Sequence, residues 1–159
     1  MKLIIRKGQI KDLPTLFKLI KEEAKLSGLS HAIKNSLDKM EKEKKSIRFF
    51  LAEKNGEVIG MAVYSFVYYT WVGKSLYLDT LYVSKDHRDT GVGSSLLYKV
   101  FEVAKKEKCN RLRWQVEEEN KPAQKFYMRL GTTIGDKWFN CSFDKEGIKM
   151  FLVNNIENN

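Results

Sequence analysis

Residues 76–116 read LYLDTLYVSKDHRDTGVGSSLLYKVFEVAKKEKCNRLRWQV. The stretch from Leu76 to Val83 is mostly apolar and stops at a turn, as a strand does. Gly91 to Lys106 then sets Leu96, Leu97, Val100, Phe101 and Ala104 along one side of an amphipathic helix, and Leu112 to Val116 returns as a strand. A strand, a helix and a second strand in succession make a crossover unit, which decides the class: an α/β chain built on a mixed sheet with helices on both sides.

Working outward, Leu3 to Arg6 reads as a short strand. Asp12 is an N-cap candidate for a helix with Pro14 in its first turn and an apolar stripe through Leu13, Leu16, Phe17, Leu19, Ile20 and Ala24 up to Ser27-Gly28. Ser30 to Lys45 reads as a second, polar helix with Ile33, Leu37 and Met40 on one side. The period then changes. Ile47 to Glu53, Asn55-Gly56 and Val58 to Tyr68 spell an antiparallel hairpin with a type I′ turn. Beyond the crossover, Asn120 caps a helix with Pro122 in its first turn, and two strands are expected at Trp138 to Phe143 and Ile148 to Val153. The total is six to seven strands and about four helices in a single domain over residues 1–159, without repeats or a linker.

Composition narrows the function classes. With 43% apolar and 31% charged residues and only 2 prolines and 10 glycines, disordered and collagen-like chains are excluded. No apolar run approaches the length of a membrane span, and Met1 to Gly8 alternates where a signal peptide would be uniformly hydrophobic. Neither membrane insertion nor export is expected. Cys109 and Cys141 have neither disulfide-framework nor zinc spacing, which suits a reduced cytoplasm and two small apolar fillers. His31 and His87 stand alone, so no metal site is expected. Trp71, Trp114 and Trp138 read as packing residues, with Trp71 also able to border a cleft. The net charge of +9 is concentrated in residues 1–50, which hold 13 basic and 6 acidic side chains. Such a field attracts nucleic acid, anionic lipid or a polyanionic cofactor, but lysines at helical spacing equally make a solvated face. Basic residues are not interleaved with aromatics on one strand, so a basic RNA-binding module rests on charge alone and nucleic acid is not the expected partner.

The turn from Arg88 to Ser94 carries the chemistry. Its closely spaced glycines let backbone N–H groups face a ligand, and the helix start that follows favours a phosphate or pyrophosphate; an ordinary tight turn fits the same residues. Two familiar phosphate motifs fail. A Walker A loop needs a lysine where Ser94-Ser95 stands, and a dinucleotide fingerprint needs a third glycine where Leu96 stands.

Arg88-x-x-Gly91-x-Gly93 does match the pyrophosphate signature of the GNAT N-acetyltransferase superfamily, and Asn120-x-Pro122-x-x-x-Phe126-Tyr127-x-x-x-Gly131 follows in the right order. The chain resembles that superfamily along essentially its whole length. Through Tyr69-Thr70-Trp71 to Tyr82-Val83 and Asn120 to Gly131, it looks most like spermidine/spermine (diamine) N-acetyltransferases. The resemblance implies a mostly antiparallel sheet, acetyl-CoA as donor, a primary amine as acceptor (a polyamine, a thialysine-like amino acid or another small amine), direct attack in a ternary complex, and a homodimer with C-terminal strands packed across the interface. A peptide amine as acceptor and a catalytically silent acyl-CoA sensor stay open beside this reading.

Acetyl transfer to an amine needs a base for the ammonium, an acid for the departing thiolate and N–H donors for the carbonyl oxygen. The resemblance assigns the acid to Tyr127, though an aromatic pair on an amphipathic helix also reads as core. Asp79 is the candidate base: strand alternation sets it with Tyr77, Leu81 and Val83 on a mostly apolar face, where desolvation would raise its pKa, unless it pairs with a structural cation. Polyamine enzymes tend to carry a Glu-Asp pair where Asp79-Thr80 stands here. For the cofactor, the resemblance implies the backbone of Leu81, Tyr82 and Val83 along the pantetheine, Asp89, Thr90, Gly91, Val92, Gly93 and Ser94 around the pyrophosphate, Arg88 as a supplement, and Asn120, Pro122 and Tyr127. Asp89 departs from the usual glycine or asparagine. Acceptor contacts are implied at Leu26, Ser27, Asp79, Arg113, Trp114, Gln115 and Asp136; Arg113 would repel a polycation.

Overall fold

The computed structural model describes residues 2–135 and 141–156, the last four through their backbone alone. Contacts gather the chain into two compact units, Met1–Gln115 and Val116–Asn159.

In the first unit one five-stranded sheet runs in chain order: β1 (Leu3–Lys7), β2 (Arg48–Lys54), β3 (Glu57–Tyr69), β4 (Gly73–Val83) and β5 (Arg111–Arg113). The first four pair antiparallel. β4 and β5 pair parallel because a helix, α3 (Val92–Lys106), carries the chain back between them. The β2–β3 turn has Asn55 at φ 56° and Gly56 at φ 79°, the two left-handed residues a type I′ turn requires.

Each face of this sheet has its own cover. α1 (Leu13–Leu26) and the short α2 (Leu37–Lys42) bring Leu13, Leu16, Leu19 and Met40 against Phe49, Leu51, Met61 and Tyr82. A fully buried leucine of this kind contributes about 2 kcal/mol. α3 covers the alternate residues, through Leu96, Leu97 and Val100. It comes so close at Gly60 that a Cβ there would stand 2.9 Å from the Tyr82 carbonyl oxygen and 3.2 Å from Leu96.

Arg6 ties β1 to the start of α1. Its two terminal nitrogens donate to the Asp12 carboxylate at 2.8 and 2.9 Å, and its Nε donates to Glu53 at 2.9 Å. Asp12 stands at the N-cap position of α1 as expected, but its side chain does not cap that helix; it accepts from Arg6 and from the Gln9 N–H.

Two β-bulges set the side-chain phases. Ala52 pairs with Gly60 but Glu53 with Val58, which makes Ile59 an extra residue on β3. Val63 pairs with Thr80 but Tyr64 with Leu78, which makes Asp79 an extra residue on β4.

The second unit holds α4 (Lys121–Arg129) and α5 (Lys145–Ile156). The Asn120 side chain caps α4, accepting the Ala123 N–H at 3.2 Å.

Several expectations need correction. Among the described residues the sheet has five strands rather than six to seven. Ile148 to Val153 lies inside α5: a short apolar run fits either element, and Asp144, accepting the Gly147 N–H at 2.8 Å, starts a helix. Of the strand expected at Trp138 to Phe143, residues 138–140 lie outside the described residues, and 141–143 are not strand. Ser30 to Lys45 is not one helix but α2 between two 3-10 turns, with Ser36 capping α2. β5 ends at Arg113 instead of reaching Val116, Phe101 faces solvent rather than inward, and Trp71 is 90% exposed rather than packed. Cys141 is exposed rather than filling a core; burial pushes the half-buried Cys109 thiol up. No described helix is long and apolar enough to cross a membrane.

Candidate active site

The glycine turn has the geometry of an anion cradle. Gly91 at φ 84° is the N-cap residue of α3, and the first intrahelical bond runs from the Ser95 N–H to the Gly91 carbonyl. The N–H groups of Val92, Gly93 and Ser94 therefore lie in the helix's unsatisfied first turn. Gly93 is not required by the fold: its φ is not left-handed, and a Cβ there would meet only Val83 at 3.8 Å, an ordinary contact. Asp89 adopts φ 59°, a left-handed conformation that glycine and asparagine tolerate and that aspartate also visits, which gives the departure at this position its physical basis. Thr90 Oγ donates to the His87 carbonyl at 2.7 Å, and Arg88 Nε donates to the Val83 carbonyl at 3.1 Å, bracing the turn from within.

β4 leads into this turn with one edge open. β5 pairs only with Ser75 to Tyr77, so among the described residues 78–83 have no strand partner on that side. The Tyr82 side chain is buried in the core, its phenol pushed up by that burial, so an incoming group could use only backbone at this position.

The bulge at Asp79 corrects the expected alternation. Tyr77 pairs with Ser65 and Thr80 with Val63; because Ser65 and Val63 are two apart on β3, Tyr77 and Thr80 share a face despite their odd separation. Leu81 and Val83 therefore lie on the other face from Tyr77. Asp79 is also exposed, not buried on an apolar strand face as expected. It lines a cavity of about 350 Å³ together with Leu16, Ile20, Asn35, Met40, Val63 and Ser65, among others. Asp79 is the sole acid in that lining.

From this cavity the same face continues toward β5. The Tyr77 hydroxyl donates to Gln115 Oε1 at 2.7 Å; burial raises the Tyr77 phenol's pKa, the Asp79 and Tyr69 charges add to this, and Arg113 opposes it. The Tyr69 ring carries the Arg111 guanidinium at 4.3 Å and that of Arg113 at 6.0 Å. Trp114, which follows Arg113, is half-buried. Leu26 and Ser27, expected at the acceptor site, are exposed at the end of α1 and do not line the cavity. Asp136 lies outside the described residues. The stacking of Arg111 and Arg113 on Tyr69 is not legible in the sequence, because the periodicity of a strand alone does not reveal which neighbours its register brings together.

In the second unit, Tyr127 is buried on α4, its ring 5.2 Å from that of Phe126, while Asn120 and Pro122 at the helix start are exposed. Among the described residues no group of three His, Cys, Asp or Glu side chains gathers as a metal site would.

Residues 13–132, spanning both units, match the acetyltransferase (GNAT) family. The chain belongs to that family. It is 29% identical to the thialysine N-epsilon-acetyltransferase of Mus musculus, over 91% of this chain and 94% of that protein. To the protein of the same name from Bos taurus it is 32% identical, over 92% of this chain and 95% of the relative. A solved integron cassette protein from the mobile metagenome of V. cholerae superposes with a TM-score of 0.77 at 22% identity, over 96% of this chain and 98% of that one, which bears on the fold alone. As a GNAT member with acetyltransferase relatives, this chain is an acetyl-transferring enzyme.

Proposed function

We propose that this GNAT enzyme, working as one domain over residues 1–159, moves an acetyl group from acetyl-CoA to a small primary amine. The observation that carries the reading is the conjunction on β4: an acidic bulge lining a cavity, an open strand edge, and the glycine turn, in that order along one strand. Acetyl-CoA supplies the activated acetyl thioester.

The residues present fit that donor. Leu81, Tyr82 and Val83 offer backbone groups along the open edge for an amide-containing arm, and Val92, Gly93 and Ser94 offer N–H groups to a pyrophosphate. Glycine at 93, which neither packing nor φ demands, is accounted for by close approach of a ligand. Asp89, Thr90 and Gly91 shape the bend, Arg88 braces it, and Asn120 and Pro122 start the helix that carries Tyr127. Gly93→Ala should therefore leave thermal stability equal or slightly higher, since alanine suits a helix better by up to about 1 kcal/mol, while weakening acetyl-CoA binding roughly tenfold in calorimetry. Unchanged affinity would remove Gly93 from the cradle.

Asp79 takes the ammonium proton, directly or through a water, and its charge draws the cation into the cavity. The bulge leaves backbone groups at Asp79 outside the regular ladder, the kind of donor that a carbonyl oxygen gaining negative charge requires. Tyr127 donates its phenolic proton to the departing thiolate. The resemblance also carries a cytoplasmic homodimer, to be tested by sedimentation; the exposed Ile148, Met150, Phe151 and Leu152 on α5 are apolar surface suited to a subunit contact.

Thiol release from acetyl-CoA against a panel of amines tests the reading. Polyamines, thialysine and lysine-containing peptides belong in that panel. Asp79→Asn should lower kcat/KM roughly 10²-fold with the acetyl-CoA dissociation constant nearly unchanged. Binding of acetyl-CoA without thiol release from any amine would instead indicate a silent sensor.

A further inference from the structure

We propose that the Tyr77–Gln115 hydrogen bond is a clasp across the mouth between β4 and β5: it fixes the gap that the donor's arm enters and so holds the thioester beside Asp79. This rests on the amine acetyltransferase reading and adds Tyr77 to it as a positioning residue.

Tyr77 stands where β4 changes on both sides at once. It is the last residue of the strand with a partner in each neighbour, Ser65 on β3 and Arg113 on β5. Immediately beyond it Leu78 keeps only its β3 partner, and Asp79 is the extra residue of the bulge. The β4–β5 ladder is three pairs long, and from residue 114 the chain is no longer strand, so no backbone bond of the ladder sets how far the two segments part. Behind that point β5 is held from the side by Arg111 and Arg113 against the Tyr69 ring. Ahead of it the Tyr77 hydroxyl crosses the break and donates to Gln115 Oε1 at 2.7 Å, near the optimum for an O–H donor. Both residues belong to the first unit.

A separation is what this bond can fix. Tyrosine has a rigid ring and two side-chain torsions, so its reach is narrowly set once the ring is half-buried, as this one is. Burial, followed by the charges of Asp79 and Tyr69, raises the phenol's pKa against the opposing Arg113, so it remains a donor at neutral pH. A guest chain pairing with the β4 backbone over residues 78–83 requires the ordinary strand spacing of about 4.8 Å. A narrower mouth shuts it out; a wider one leaves the thioester loose against the acceptor nitrogen, and a misplacement of about 1 Å can cost roughly 10²-fold in rate. The bond itself is exposed, so it adds little to stability.

The test reads thiol release from acetyl-CoA with thialysine, spermidine and a lysine-containing peptide, the acceptor turned over fastest carrying the comparison. Tyr77→Phe and Gln115→Leu should each lower kcat about tenfold, with the acetyl-CoA dissociation constant within about twofold of wild type and Tm little changed. The double variant should lose no more than either single one, since both remove the same bond, and Gln115→Glu, whose carboxylate still accepts the phenol's proton, should recover most of what Gln115→Leu loses. Wild-type kcat in Tyr77→Phe, losses that multiply in the double variant, or a loss confined to donor affinity overturns the clasp while leaving amine acetylation standing. A wild-type enzyme that releases no thiol with any amine overturns amine acetylation and the clasp with it.

Discussion

Tyr127→Phe is expected to lower kcat by roughly 10²- to 10⁴-fold, the range in which a positioned proton donor acts, while acetyl-CoA binding stays close to wild type. The substitution removes one hydroxyl and keeps the ring, which is buried on α4 next to Phe126, so helix and packing survive. A thiolate then has to depart without its proton, and turnover falls at that step. Rapid-mix measurement of thiol appearance, with calorimetry of the donor, separates chemistry from binding. Turnover equal to wild type would take Tyr127 out of the acid role and leave its aromatic body as core.

Asp12→Ala is the largest expected stability effect. Asp12 is 7% exposed and accepts two charge-assisted bonds from Arg6 and one from the Gln9 N–H. Removing the carboxylate leaves Arg6 with Glu53 alone. Breaking a buried pair costs about 3–5 kcal/mol, but the Arg6 side chain is about a third exposed and keeps one partner, so about 2–3 kcal/mol is expected. For a chain of this size that lowers Tm by several degrees. The pH dependence follows from the same bonds. The Arg6 hydrogen bonds hold the Asp12 carboxyl below its usual range, despite a desolvation that works against them. Because the folded value is depressed, the stabilisation is complete above the unfolded carboxylate range and is lost as pH falls through the folded value. Wild-type stability should therefore decline on acidification more steeply than that of Asp12→Ala. Parallel acid limbs in denaturation curves would show that the pair contributes little.

Much of this was legible because the cause was local. Asn55-Gly56 specifies its turn through two left-handed residues, Asn120 caps α4 with its own side chain, and Gly91 opens α3 from a conformation that glycine permits. The crossover from β4 through α3 to β5 follows from a change of period that one strand and one helix display by themselves. Where a run was short and apolar, as from Ile148 to Val153, period did not discriminate, and the cap at Asp144 decided for helix. The broken segment after α1 has the same origin: its polar stripe is compatible with a helix, but Ser36 restarts it.

The sequence by itself determined the class of fold, the glycine-rich bend that opens α3 and the order of the elements around it, because turn residues, caps and apolar period act within a few positions along the chain. Tertiary structure alone decided that Asp79 is an extra residue on β4, that Tyr77 and Thr80 share a face, that Arg111 and Arg113 rest on Tyr69, and that Asp12 serves Arg6 instead of its own helix. Each of these depends on which residue of a distant strand stands opposite. A strand's alternation carries no record of the register its neighbour adopts, and one added residue reverses every side chain beyond it.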